Sequence, residues 1–275
     1  GLTRTMPIIA MTREMGSLGS HIAQEVARRL GYEFLRNDLL RNAAREYRVH
    51  ESRLVGAVEE APGFLERLRP PRFRYRSYLE AAVLAAALPD RVVLVGRWST
   101  IFLRGIPHAI AVRVCAPLEV RIRRVMERHG LDRDEAARRT AAYDDGVRAR
   151  MRQMFDVDWT DSLLYDLVVN TGAVSVSTAV GQVLGLAAAS EFQPTEGSRR
   201  LLADRALAGR IRAVLKATPA TAPLELDIHT EGSRVRLAGV VGSEAARDAA
   251  LAVVREVPGV SEVSSEMKVF RRPVR

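Results

Sequence analysis

The sequence predicts an α/β protein, a parallel sheet flanked by helices, followed by a smaller α+β domain. Short β-branched apolar runs alternate with helical patterns through the first two thirds of the chain. That pattern belongs to strands buried on both faces and joined by crossover helices. Residues 190–198, Ser-Glu-Phe-Gln-Pro-Thr-Glu-Gly-Ser, read as a linker. Beyond them apolar and charged residues alternate along each strand, which gives a sheet with one wet face. The expected division is therefore residues 1–190, a linker at 191–198, and residues 199–275.

Each element has its own signal. Met6 to Met11 is a short apolar run and reads as a buried strand. It leads into Thr12-Arg13-Glu14-Met15-Gly16-Ser17-Leu18-Gly19-Ser20. A helix follows, with Ile22, Val26, Ala27 and Leu30 on one face and Gly31 as its stop. Tyr32 to Leu35 can form a second short strand, and residues 38–88 read as mostly helical, with breaks near Pro62-Gly63 and Pro70-Pro71. Arg91 to Gly96 reads as a central parallel strand, and Ala109 to Cys115 as another. Arginine-rich helices are expected at 118–129 and 132–155, a strand at Asp166 to Asn170, and a helix at 174–189. In the last part a helix (199–216) precedes strands at Leu224 to Thr230 and Val235 to Val241. A helix from Ser243 to Glu256 and a strand from Val260 to Phe270 complete it.

Composition narrows the function. Of 275 residues, 47% are apolar and 27% charged, which excludes wholesale disorder. The single cysteine, Cys115, excludes an intrachain disulfide and favours a reducing compartment. The first residues lack the apolar stretch of a signal peptide. The uncharged stretch from Leu167 to Ser190 has the length of a membrane span, but Asn170, Thr171 and Gln182 make it read as a strand and a buried helix. A cytoplasmic protein is expected. The net charge of +9 is carried almost wholly by arginine and suits an anionic ligand. Only two lysines exist, Lys216 and Lys268. Phosphate chemistry before residue 190 must therefore use arginine, backbone amides or a metal.

The turn between the first strand and first helix is the central motif, because backbone N–H groups and the helix dipole there converge on one spot. Set against the spacing G-x-x-x-x-G-K-[ST], Gly19 takes the second glycine position, Ser20 the lysine position and His21 the Ser/Thr position, while Glu14 falls on the first glycine. Arg97 follows a central strand, at the sheet edge where such folds bind ligands. Asp145, Arg148 and Arg152 share a helical face that can fork onto phosphates. The histidines show no metal-ligand spacing, so no metal site is expected. No nucleophile elbow indicates a hydrolase. Aromatic residues are only 5%, with no aromatic-studded basic stripe, which disfavours nucleic acid.

Taken in order, the Thr12–Gly19 loop, Val95-Gly96-Arg97, the arginines of 121–128, Asp145 with Arg148, and Tyr165 to Thr171 resemble the cytidylate kinase-like family, of P-loop nucleoside monophosphate kinase fold, over residues 6–188. The resemblance implies an ATP-dependent nucleoside monophosphate kinase, with Mg2+ accompanying ATP. It implies a donor site of Arg13, Gly16, Ser17, Gly19, Ser20 and His21, and acceptor contacts from Arg97, Asp145 and Arg148. Arg13, Arg97, Arg124 and Arg148 would act on the transferring phosphoryl group. Ser20, Glu14 and Trp98 depart from the family pattern and support the alternative, a catalytically impaired nucleotide-binding sensor with a degenerate P-loop. Residues 199–270, through the Gly239 turn and the Pro258-Gly259-Val260 turn, resemble a BON domain. That resemblance implies a regulatory or ligand-binding module for a small ligand or a phospholipid. A homo-oligomer is compatible with the sequence.

Overall fold

The computed structural model describes residues 6–36, 38–58 and 73–270. Five strands form a wholly parallel sheet in the order β2-β3-β1-β4-β5. They are β1 (Ile8–Arg13), β2 (Glu33–Leu35), β3 (Val92–Val95), β4 (Ala109–Cys115) and β5 (Leu167–Asn170). β1 and β3 are buried almost throughout, as β-branched and apolar runs in a sheet covered on both faces must be. Helices α1 (Gly19–Leu30), α2 (Asp38–Glu46), α3 (Glu51–Val58), α4 (Phe73–Ala87), α5 (Ser99–Phe102), α6 (Leu118–His129), α7 (Arg133–Phe155) and α8 (Val176–Ala188) surround it. The breaks expected at Pro62-Gly63 and Pro70-Pro71 lie outside the described residues.

Alternate residues of one strand feed two cores. Ile9 and Met11 of β1 pack with Ile22 and Val26 of α1 and Val180 and Val183 of α8. Ile8 and Ala10 pack on the opposite face with Leu39 and Leu40 of α2, Leu79 and Val83 of α4, and Trp98. This period-two division is what a central strand requires. It also brings the carboxyl ends of β1, β3, β4 and β5 to one edge. Among the described residues no helix is long and apolar enough to cross a membrane.

The C-terminal strands β6 (Leu226–Glu231), β7 (Arg234–Val241) and β8 (Glu262–Val269) form a separate three-stranded sheet, antiparallel between β6 and β7 and parallel between β7 and β8. The inward residues Val235, Leu237 and Met267 pack with Ala250 and Val254 of α10 (Glu244–Arg255). Gly239 does not make the turn expected of it. It sits within β7 opposite Leu226 with φ 137°, where a Cβ would come 3.1 Å from the carbonyl oxygen of Glu225. The Pro258-Gly259-Val260 turn does form, closed by the Val260 amide on the Val257 carbonyl.

Residues 190–198 are tied down rather than loose. Gln193 donates to the carbonyls of Ala187 and Ala189, and Phe192 packs on the core beneath α1. Thr195 and Ser198 make a reciprocal capping box that starts α9 (Glu196–Ala217). Helix α9 then serves two cores. Leu202, Ala206 and Ala213 pack with α4 and its neighbours, whereas Ile211 and Leu215 pack beneath the second sheet. Gly209 lets α9 approach α4 closely, with Leu84 only 3.2 Å from where a Cβ would stand. Arg212 pairs with Glu80 at 2.9 Å, and Arg199 pairs with the buried Asp90 at 2.8 Å. The opposite oxygen of Asp90 lies 3.2 Å from the fully buried His108.

Candidate functional site

The loop from Glu14 to Leu18 joins β1 to α1 and is shaped by Gly16. Gly16 adopts φ 77°, and a Cβ there would lie 2.8 Å from the carbonyl oxygen of Arg121. Leu18 caps α1 in the left-handed region with no side-chain hydrogen bond. The amides of Gly19 and Ser20, in the first helical turn, therefore have no side-chain cap.

Glu14 explains why a carboxylate can occupy the loop. Its side chain is turned down into the protein, where Arg113 donates at 2.8 Å, the Ala116 amide at 3.1 Å, and Arg121 lies at 3.3 Å. Arg121 also grips Asp144 through two hydrogen bonds, at 2.8 and 3.1 Å. Charge-assisted contacts of this kind fix the loop floor and satisfy the acid that would otherwise repel a phosphate. Thr171, at the end of β5, donates to the Ser17 carbonyl at 2.8 Å and accepts from Arg124.

A cavity of about 650 Å3 opens above the loop, bounded by β1, β3, α6 and α7. Arg13, Arg36, Arg97, Arg124, Arg128 and Arg139 reach its wall, against the acids Glu14 and Glu127. Such a lining attracts polyanions. Within it, Arg13 Nε donates to Ser20 Oγ at 2.6 Å, so the guanidinium is anchored on the side chain that holds the lysine position of the loop spacing. Its Nη1 reaches the Tyr143 hydroxyl at 3.3 Å. The Arg97 guanidinium lies over the Tyr143 ring, 5.6 Å from its centre. Gly96 is required before Arg97 because a Cβ would strike the Trp98 ring at 2.8 Å. Trp98 itself is buried beneath that turn.

The structure brings together Arg13, Gly16, Gly19, Ser20, His21, Arg97 and Arg124 on the cavity wall. Ser17 is buried with its hydroxyl turned to the Glu14 carbonyl, away from the cavity. Asp145 and Arg148 pair with each other at 3.1 Å on an exposed face of α7 and do not line the cavity. On a helix turning roughly 100° per residue, they fall away from the face that Arg139 and Tyr143 share. Arg124 reaches the wall but spends its guanidinium on Gly16, at 3.1 Å, and on both oxygens of Thr171, at 2.9 and 2.8 Å. Arg121 is buried under the loop, leaving Arg128 as the exposed arginine of that stretch on the wall. Tyr143, Arg139 and Arg36 were not singled out by sequence reasoning. With arginines on several faces of α7, its local pattern carries no signal that marks the first two.

Two further ionisable groups lie near this edge. Burial pushes the Tyr165 hydroxyl up to about 12, and that hydroxyl donates to the Trp159 carbonyl. Burial also raises the Cys115 thiol above its usual range. Among the described residues no group of histidine, cysteine and carboxylate side chains could hold a metal ion.

Residues 8–173 match the model of the cytidylate kinase-like family, and residues 203–270 match that of the BON domain. A cytidylate kinase of Pyrobaculum aerophilum is 28% identical over 177 residues, 64% of this chain and 89% of that protein. A cytidylate kinase of Methanopyrus kandleri is 36% identical over 94 residues, which span 31% of this chain and 49% of that relative. Among solved structures, an uncharacterized protein from Eubacterium ventriosum aligns with a TM-score of 0.51 and 22% identity, covering 66% of this chain and 97% of the other. That likeness shows the fold.

Proposed function

The chain belongs to the cytidylate kinase-like family, and from that membership we propose an ATP-dependent nucleoside monophosphate kinase whose donor loop works with arginine in place of lysine. The observation that carries this is the Arg13 guanidinium, anchored at 2.6 Å on Ser20 inside a cavity walled by arginines. Phosphoryl transfer requires in-line placement and neutralisation of charge on the transferred group, with little covalent work for the protein. Backbone amides of the loop and Arg13 supply the donor side. Arg97 supplies the acceptor side, with cytidylate-like monophosphates as acceptors. Asp145 and Arg148, paired with each other on the exposed face of α7, stand outside this cavity.

The residues around the loop do not make a protein-held metal site. Ser17 Oγ is spent on a carbonyl, Ser20 Oγ accepts from Arg13, and the Glu14 carboxylate is held by Arg113 and Arg121. A Mg2+ that accompanies ATP would be carried by phosphates and water. The chain's own share of charge neutralisation is then its arginines.

A second reading, a nucleotide-binding sensor without turnover, draws on Arg124, whose guanidinium is committed to Gly16 and Thr171. The C-terminal part is the regulatory or ligand-binding module in either reading, and the division of the chain at residues 191–198 belongs to the same proposal. A coupled assay with ATP, Mg2+ and a panel of nucleoside monophosphates decides between the two. Turnover that falls about a hundredfold or more in Arg97→Ala and Arg13→Ala, the usual cost of removing a charge-stabilising donor, supports the kinase. ATP binding with no turnover on any acceptor supports the sensor.

A further inference from the structure

Resting on the phosphotransfer reading above, we infer that Tyr143 is a positioning residue that holds the donor-loop arginine and the acceptor-side arginine in one frame. Its hydroxyl accepts from Arg13 and its ring face carries Arg97. All three side chains stand on the wall of the same cavity. The two arginines leave the carboxyl ends of β1 and β3, adjacent strands paired at Met11 and Val95. They are thus like charges confined to one edge, with Tyr143 in contact with both.

The chemistry of that partner matters. A carboxylate between the arginines would form strong ion pairs and compete with incoming phosphate. A phenol offers a hydrogen-bond acceptor on its oxygen and a negative ring face, each a weaker partner than phosphate. It aligns both guanidinium groups yet surrenders them when a polyanion arrives. Arg13 keeps its second anchor, Ser20, throughout. The neighbouring Asp144 adds rigidity, because it grips Arg121, which in turn lies against Glu14. Helix α7 therefore registers the loop through two successive residues. Preorganisation of this sort lowers the ordering cost of two long side chains when ligand binds.

The test uses the full chain and titrates tripolyphosphate, as a probe of the donor arm, and CMP, as a probe of the acceptor arm. Tyr143→Phe removes the hydroxyl and keeps the ring. It is expected to weaken tripolyphosphate binding about fivefold while leaving CMP within about twofold. Tyr143→Leu removes both partners and is expected to weaken CMP as well, by about three- to fivefold. Adding Tyr143→Phe to Arg13→Ala should bring no further loss. A purely structural role would not divide the two ligands in this way, and melting curves of Tyr143→Phe at the wild-type temperature keep folding out of the comparison. Unchanged binding of both probes by folded Tyr143→Leu overturns the inference, as does full additivity of Tyr143→Phe with Arg13→Ala. Wild-type protein that binds tripolyphosphate but no nucleotide refutes the kinase reading alone, provided the tripolyphosphate pattern across the variants persists. Wild-type protein that binds neither probe refutes both.

Discussion

At the scale of single residues, the site depends on what is missing from Gly19. A Cβ there would stand 2.6 Å from Arg13 Cβ and 3.1 Å from Val114 Cβ. The obstruction is the stem of the arginine that lines the cavity, so the loop glycine and its cation are fitted to each other. Gly19→Ala is expected to cost about 1–3 kcal/mol of stability by overpacking and to weaken tripolyphosphate binding about tenfold, since Arg13 must leave Ser20. Urea unfolding and titration check it, and undiminished binding would refute the fit. That Arg13 and Gly19 meet at one turn was readable from the order strand, glycine turn, helix. The role of Glu14 was not. Its partner Arg113 lies 99 positions away, and no local pattern announces that a loop carboxylate is turned inward. Trp98 was similarly opaque, a departure in the sequence that the fold uses as a buried plate beneath Gly96.

At the scale of elements, α7 and α9 mark where sequence patterning stopped short. Both were readable as helices. Arginines on several faces of α7 left its phase open, and only contact with the loop shows that Tyr143 faces inward while Asp145 and Arg148 face water. In α9, apolar residues on more than one side announce burial without naming the partners, which are two different cores. Gly209 is the tight point. Gly209→Ala is expected to be neutral or slightly stabilising, because the contact is with the flexible tip of Leu84 and the helix gains roughly 1 kcal/mol of propensity. Gly209→Leu is expected to lose about 1–3 kcal/mol by forcing α9 off α4. Denaturant midpoints of the two variants decide it, and a leucine variant as stable as the alanine one would show the approach to be loose.

At the scale of the whole molecule, the alternation of strands and helices was sufficient to expect the parallel sheet, and the changed alternation after residue 198 the second one. The junction between them was not readable, because it is built from Asp90, His108 and Arg199, widely separated positions. Burial alone would raise the Asp90 pKa, but His108 beside it and the hydrogen bond from Arg199 outweigh burial and hold it below the usual value. The stabilisation is therefore complete above the ordinary aspartate range, near pH 4, and is lost as pH falls through the depressed value. Arg199 is half in water, so Asp90→Asn is expected to cost about 2 kcal/mol at pH 7, less than a fully buried pair would. The gap from wild type should narrow as pH falls below about 4 in urea unfolding, and a pH-independent gap would refute the ionic account. Helix α9 has a further consequence during synthesis. Because Leu202, Ala206 and Ala213 pack on α4, the outer face of α4 cannot be sealed until the ribosome has released most of α9. The nascent chain must keep the face of α4 unsealed until then, and the window for chaperone engagement closes only as the carboxyl-terminal strands are about to emerge.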